Sequence, residues 1–217
     1  MKLADLVLAN YKLLYVLPRF GIQIGVGEKT VKQVCEEKKI SVSLFLLVCN
    51  VYTFDNYSIE KCVLNGISLS ALINYLRNSH KEYLETRVPK VIANILDITK
   101  SAYSAQFEAF CQKYKTDIDA HFDYEEKVLF PYISSLLQGK KVLEYNIKEF
   151  QANHTNIEES LDDLKNILIK YLPQVTDFEQ KRNALVELFM LEEDLNKHTL
   201  IEDKILVSSV AFIEESL

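Results

Sequence analysis

The chain has 217 residues, a formal net charge of −6 and 48% hydrophobic residues. This length can bury a substantial core, and the lack of any apolar run near the ~20 residues that cross a bilayer excludes a membrane-spanning protein. The acidic balance, without clustered lysines and arginines, argues against a nucleic-acid surface. We expect a soluble cytoplasmic protein, and the sequence does not indicate its oligomeric state. Its cysteines are expected to be buried, reduced thiols, namely Cys35, Cys49, Cys62 and Cys111.

The N-terminal part is predicted to be a small helical bundle. Five glycines, four prolines and apolar residues at three- and four-residue spacing favour an all-α fold. Short helices are expected near residues 3–14, 29–38 and 41–53. Residues 21–27 hold three glycines, but the segment Glu28-Lys-Thr-Val follows, with a glutamate rather than a lysine directly after Gly27, and no strand precedes, so a phosphate loop is not supported. We assign residues 1–58 to this N-terminal domain and residues 67–217 to a larger helical domain.

Four long helices are predicted in the larger domain, and each has one histidine in its apolar seam, namely His80, His121, His154 and His198. Pro89 is expected to end or bend the first helix, Gly139 to cap the second and Pro173 to stop the third. The seam of the second helix is expected to continue to Val128. We therefore predict an antiparallel four-helix bundle that directs four imidazoles, with Glu125 and Glu202, at one axis.

Two His-x-x-x-Glu pairs predict a metal centre. His121 precedes Glu125 by four residues, as His198 precedes Glu202, so each pair lies on one helix face. Buried carboxylates call for a compensating cation, and mixed imidazole and carboxylate ligation suits iron, with manganese or zinc as alternatives. If both carboxylates bridge two metals, each metal receives two carboxylate oxygens, two histidine nitrogens and a shared oxo or hydroxo. One position then stays open on each for dioxygen, nitric oxide or peroxide.

Other interpretations of these residues remain open at this stage. A His-x-x-x-Glu pair on its own is commonly a helix-surface interaction, and a lone buried histidine is commonly bonded to a carbonyl group. Tyr124, three residues after His121, is either a hydrogen-bond partner near the metal ligands or a core tyrosine.

The sequence resembles a hemerythrin-like domain, and more closely the repair-of-iron-centres family of di-iron proteins. The resemblance is carried by His121-Phe-Asp-Tyr-Glu125-Glu-Lys-Val-Leu-Phe-Pro131, by His198-Thr-Leu-Ile-Glu202-Asp-Lys-Ile-Leu206, by His80 ahead of Val88-Pro89, and by Ala152-Asn-His154. It implies that the iron ligands are His80, His121, Glu125, His154, His198 and Glu202. Hemerythrin itself uses a fifth histidine and an aspartate, and this chain has only four histidines. The resemblance therefore favours redox reactivity over reversible oxygen carriage.

The stretch from Leu14 to Val51 resembles the small N-terminal domain of the same family, particularly at Arg19-Phe-Gly-Ile22. Family members usually place two adjacent cysteines after that Gly-Ile pair, whereas this chain has Gly25 and Val26 there. A role that needs the thiol pair is therefore not supported.

The resemblance implies a di-iron protein that repairs or protects iron–sulfur clusters under nitrosative or oxidative stress. Its partners would be a diatomic ligand or peroxide and damaged iron–sulfur proteins. In an enzymatic version of this function, the di-iron centre would reduce nitric oxide. The alternative is a di-iron sensor that signals through the N-terminal domain to a protein or nucleic-acid partner, and a purely structural bundle is the remaining option.

Overall fold

The computed structural model describes the whole chain except residues 56, 58, 60–65, 101–103, 141, 143, 154–156, 173–176 and 217. Its regular structure over the described ranges is helical, and the β-type pairing found there is an isolated bridge between Lys2 and Thr30. The predicted all-α helical bundle is thus confirmed. No described helix is both long and apolar enough to cross a membrane.

In residues 1–55, which the structure describes without a gap, the chain forms the short helices α1 (Leu3–Ala9), α2 (Leu13–Arg19), α3 (Val31–Lys38) and α4 (Val42–Thr53). Side chains define where the last two begin. Thr30 and Gln33 form a reciprocal capping box at the start of α3, and the Ser41 hydroxyl accepts from the Leu44 amide at the start of α4. These polar caps explain why two of the three predicted helices have nearly the expected limits.

The helix predicted over residues 3–14 is instead two helices, and Asn10 separates them. Its amide nitrogen donates to the Tyr52 carbonyl (3.1 Å) and the Thr53 hydroxyl (3.0 Å), while its side-chain oxygen accepts from the Lys12 amide (3.1 Å). Asparagine competes with the helix for backbone groups in this way and favours turns. The apolar spacing alone could not show the break.

The remaining chain forms α5 (Leu69–Glu82), α6 (Val88–Thr99), α7 (Ser104–Tyr124), α8 (Phe130–Leu137), α9 (Ile147–Asn153), α10 (Glu159–Tyr171), α11 (Phe178–Ile201) and α12 (Val207–Ser216). Gly139, at φ 74°, follows the end of α8, and its amide donates to the Leu136 carbonyl (2.9 Å), as expected of a helix cap. The predicted third helix is in two parts, because Ile157 and Glu158 form a turn before α10. Pro173 lies outside the described residues.

Among the described residues, π-helical segments join α-helices end to end at Tyr83–Arg87 (π1), Glu125–Leu129 (π2) and Glu202–Leu206 (π3). The expectation that Pro89 ends the first helix therefore needs correction, because the chain stays helical from α5 through π1 into α6, whereas a bend at Pro89 stays a prediction. A proline ring meets the carbonyl four residues earlier in a regular α-helix. The wider π turn before Pro89 shifts that carbonyl. Pro131 has the same position after π2, and Ser208 has it after π3.

The π2 segment also changes which residues of its helix are buried. Val128, predicted in the apolar seam, is 38% exposed, whereas Leu129 is fully buried. A π turn contains one more residue than an α turn, so the buried face moves along the sequence by one position. The predicted place of Val128 in the seam is wrong for this reason.

The chain divides into two compact units. The first comprises residues 1–79, 130–153 and 197–217, and the second residues 80–129 and 154–196. The core of the second unit includes Tyr83, Ile95, Ile118, Phe122, Leu164, Leu188 and Leu195. In the first unit, the buried Arg19 donates to the Tyr52 hydroxyl (2.7 Å) and its carbonyl accepts from Asn78 (2.8 Å). The predicted domain limits at residues 58 and 67 stay predictions.

The cysteines of the described chain are buried and free, namely Cys35, Cys49 and Cys111. Burial raises the pKa of the Cys111 thiol to about 11. Burial, with a smaller contribution from Cys35, raises the pKa of Cys49 to about 12. These three cysteines therefore match the expected buried thiols, and Cys62 lies outside the described residues.

Candidate metal centre

In the second unit, two histidines approach the same carboxylate. His121 lies in the last turn of α7, and Glu125 follows as the first residue of π2. The His121 Nε2 to Glu125 Oε1 distance is 3.2 Å, and the His80 Nε2 to Glu125 Oε2 distance is 3.0 Å. Each carboxylate oxygen therefore has a different imidazole beside it, and the Glu125 side chain is almost completely buried.

The first unit contains the other predicted His-x-x-x-Glu pair. His198 lies in the last turn of α11, and Glu202 is the first residue of π3. Their Nε2 and Oε1 atoms are 2.8 Å apart, and both side chains are buried. The four-residue spacing thus places each histidine beside its own glutamate, as the sequence predicted.

The π-helical segments coincide with the predicted ligands. Glu125 opens π2 and Glu202 opens π3, while His80 lies three residues before π1. Single π turns within α-helices are rare and are frequent at functional sites. The apolar pattern gave no indication of them, although Pro89 and Pro131 mark positions where a regular α-helix would be disfavoured.

His80 has a further carboxylate contact that sequence reasoning missed. Its Nδ1 atom lies 3.0 Å from Oε1 of Glu126, and its ring stacks on Phe122 with centroids 4.2 Å apart. Glu126 directly follows Glu125, but the sequence could not show that it contacts a histidine 46 residues away. The sequence signal that could have indicated this contact is the second glutamate of the His-x-x-x-Glu-Glu motif, which is Glu126.

Four of the predicted ligands are buried, namely His80 and Glu125 in the second unit and His198 and Glu202 in the first. His121 contacts Glu125 as described above, and His154 lies outside the described residues. Imidazole nitrogens and carboxylate oxygens suit iron, manganese and zinc, whereas calcium and magnesium favour oxygen ligands. The donor set fits the predicted iron.

The electrostatics of this donor set support a cation. Glu125 and Glu202 have no detectable exposure. An ionised carboxylate in such surroundings is unfavourable unless positive charge or strong hydrogen bonds compensate. A metal ion would supply positive charge directly at these oxygens.

Tyr124 does not lie in the core, contrary to one of the two roles predicted for it. It is 37% exposed, so the interpretation as a core tyrosine is wrong. The residue lies at the end of α7, where the following π2 segment changes the direction of the next side chains. Its hydrogen bond to a metal ligand stays a prediction.

A second buried charge pair lies in the same unit as His80 and His121, and sequence reasoning did not predict it. Nη1 of Arg87 donates to Oδ2 of Asp194, and both side chains are buried. Arg87 is the last residue of π1, and Asp194 lies in α11. This pair therefore ties the end of a π-helical segment to a different helix.

Comparison with known families gives one match. A model described as the hemerythrin HHE cation binding domain matches residues 71–210. The match covers well over half of the chain and includes all six predicted ligands. Searches of curated proteins and of solved structures gave no match.

Proposed function

Because the chain belongs to the hemerythrin HHE cation-binding domain family, we propose that this metal-binding protein is a non-haem di-iron protein that repairs or protects iron–sulfur clusters under nitrosative or oxidative stress. The proposed iron ligands are His80, His121, Glu125, His154, His198 and Glu202. The family match supports the hemerythrin-like part of this proposal. The assignment to the repair-of-iron-centres family depends on the motifs and is part of the proposal.

The position of Glu125 is the main support for two metals. Its two oxygens face two different imidazoles at 3.0 and 3.2 Å, which is the arrangement that a bridging carboxylate needs. Glu202 beside His198 supplies the corresponding pair in the second motif. Two irons with a bridging oxo or hydroxo would supply one-electron redox chemistry and open positions for dioxygen, nitric oxide or peroxide.

The protein's own residues would hold this centre and limit its access to water. His80, Glu125, His198 and Glu202 are all buried, and Phe122 covers one face of the His80 ring. Burial of these polar groups strengthens their electrostatic interactions with a bound cation. The four histidines of the chain cannot provide the five that hemerythrin uses, which supports redox reactivity rather than oxygen carriage.

The first test is the metal content and absorption spectrum of protein purified with and without oxygen. We expect two irons per chain and charge-transfer absorption that responds to nitric oxide or peroxide. Glu125→Ala and Glu202→Ala should lose iron and this response while retaining helical circular dichroism. Glu85→Ala is a matched control, because Glu85 is an exposed glutamate within π1. Stoichiometric zinc without iron, or an unchanged response in both variants, would overturn the di-iron proposal.

The repair role needs its own test. A nitric-oxide-damaged iron–sulfur enzyme is incubated with the iron-loaded protein, and recovery of its cluster absorption and activity is measured. Recovery should require the wild-type chain and fail with Glu125→Ala. An equal recovery with free ferrous iron at the same concentration would contradict repair.

Reduction of nitric oxide is tested by anaerobic turnover with a reductant. In this reaction two nitric oxide molecules, two electrons and two protons give nitrous oxide and water.

A sensor is the second candidate, and the loop containing Gly25 favours it. Gly25 has φ 97°, a conformation that L-residues such as cysteine rarely adopt. The loop is therefore shaped for glycine at a position where relatives are expected to carry a cysteine. A sensor should bind a protein or nucleic-acid partner with affinity that differs between its oxidised, reduced and nitrosylated forms. Equal affinity of the three forms for a partner recovered by crosslinking would contradict this candidate.

A further inference from the structure

His80 differs from the other two described histidines in how its helix supports it. His121 and His198 each have a glutamate four residues later on the same helix, whereas position 84 after His80 is leucine. His80 therefore depends on side chains from elsewhere in the chain for its polar contacts. Two of those contacts come from consecutive residues, Glu125 and Glu126.

The two glutamates contact opposite sides of one imidazole ring. Glu125 lies 3.0 Å from Nε2, and Glu126 lies 3.0 Å from Nδ1. Consecutive helical residues project in different directions, so neighbouring carboxylates can reach both nitrogens. Their surroundings also differ, because the Glu125 side chain is 1% exposed and the Glu126 side chain is 32% exposed. Glu126 is therefore at the outer side of the ring and Glu125 at the inner side.

The chemistry of these atoms assigns different roles to the glutamates. An ionised carboxylate only accepts hydrogen bonds, and a neutral imidazole has a proton on one nitrogen. A metal binds the nitrogen that has no proton, and the hydrogen bond made by the other nitrogen fixes which one that is. Nε2 is the nitrogen that faces Glu125, so a metal bound there requires the proton of the neutral ring to be on Nδ1.

We propose that Glu126 is a positioning residue for the metal centre, which accepts the Nδ1–H bond of His80 and thereby leaves Nε2 available to a metal. Phe122 completes this arrangement, because it stacks on the His80 ring with an interplanar angle of 15° and restricts ring rotation. The metal-binding consequence rests on the proposed function. The hydrogen bond and the tautomer belong to the protein itself.

The tautomer of His80 in the metal-free protein is the direct test. Imidazole ¹⁵N chemical shifts distinguish Nδ1–H from Nε2–H, and His80→Gln assigns the signal among four histidines. Under conditions where the ring is neutral, we expect Nδ1–H in the wild type and a shift toward Nε2–H in Glu126→Ala. Glu126→Gln should retain Nδ1–H, because its amide oxygen still accepts the bond. Nε2–H in the wild-type protein would overturn the proposal.

Metal affinity provides the second measurement. Loss of such an outer hydrogen-bond partner typically weakens metal binding by about 10- to 100-fold. We expect this loss in Glu126→Ala and a smaller one in Glu126→Gln, measured by competition with a chelator. Asp123→Ala is the control, because Asp123 is an exposed acid in the same region whose ion pair is with Lys127. Equal affinity in wild type and Glu126→Ala, or an equal loss in Asp123→Ala, would contradict a specific role.

The two measurements separate this inference from the proposed function. A tautomer change in Glu126→Ala together with a wild-type chain that binds no iron would support the positioning of His80 and overturn the di-iron proposal. Iron binding by the wild type with an unchanged tautomer in Glu126→Ala would support the metal centre and overturn the role of Glu126. If Glu126→Ala does not fold, the tautomer of His80 in the wild type and in Glu126→Gln still tests the proposed role of Glu126.

Discussion

Val128 and Leu129 are neighbours in π2, yet Val128 is 38% exposed and Leu129 is fully buried. Because the π turn contains one extra residue, Leu129 lies in the buried position, and Glu125 still lies next to His121. The π-helical segment therefore keeps Leu129 on the buried face while Val128 is turned toward solvent.

This pair of residues gives a matched stability prediction. Leu129→Ala should lower the free energy of unfolding by about 2–5 kcal/mol, because it removes a buried side chain and leaves a cavity. Val128→Ala should change it by about 0.5 kcal/mol or less, as is usual for exposed positions. Urea unfolding of the metal-free proteins measures both values. Similar losses in the two variants would contradict the register that π2 imposes.

The buried pair of Arg87 and Asp194 should matter for stability. Asp194→Ala should cost about 3–5 kcal/mol, because it leaves the guanidinium of Arg87 without this buried counter-charge. The control is Glu187→Ala, which removes an exposed pair with Lys90 and should cost about 1 kcal/mol or less. Thermal and urea unfolding would measure the difference. An Asp194→Ala variant as stable as Glu187→Ala would show that the buried pair is not needed.

Because the thiol of Cys49 is buried, we expect the protein to lose stability at alkaline pH. Burial raises the pKa of this thiol from 9.0 to about 12, so the folded state disfavours the thiolate. Since the folded pKa lies above the unfolded value, the stabilising effect is fully present below pH 9 and is lost between pH 9 and about 12. Cys49→Val removes this titration at similar volume. Its unfolding free energy should fall less steeply with pH above 9, by up to about 1.4 kcal/mol per pH unit.

Chemical denaturation at a series of pH values would test the Cys49 prediction. Below pH 9 the wild type and Cys49→Val should have parallel pH profiles, because neither loses a proton from this position. Parallel profiles above pH 9 as well would contradict the burial of the thiol. Cys111, whose pKa burial raises to about 11, is present in both proteins and does not affect the comparison.

Glu202 allows a test of metal-dependent stability. Glu202→Gln keeps the size and shape of this buried side chain but replaces the carboxylate with a neutral amide. Bound metal should stabilise the wild type by about 2.7 kcal/mol at 100 times the Kd, and the variant should lose this gain. Unfolding with added ferrous iron and with a chelator measures both. A metal-dependent gain that survives in Glu202→Gln would argue against this ligand.

The local features of the candidate centre were predictable from the sequence. The spacing of His121 to Glu125 and of His198 to Glu202 places side chains on one helix face, and both contacts are present in the structure. Apolar spacing similarly gave the all-α fold and the burial of His80. It did not give the break at Asn10, because that break depends on side-chain hydrogen bonds to residues more than 40 positions away.

The helical class and the His-x-x-x-Glu pairs could be predicted from local sequence, since each depends on residues within a few turns of one helix. The hemerythrin-like family was indicated by motifs on several helices. Three features became visible in the folded protein alone: Glu126 contacts His80, Arg87 pairs with Asp194, and Leu129 rather than Val128 lies in the core. These features depend on contacts between residues far apart in the sequence or on a local change of helix type. Periodicity fixes which face of a helix is apolar, whereas the partner of a buried charge depends on how distant segments pack.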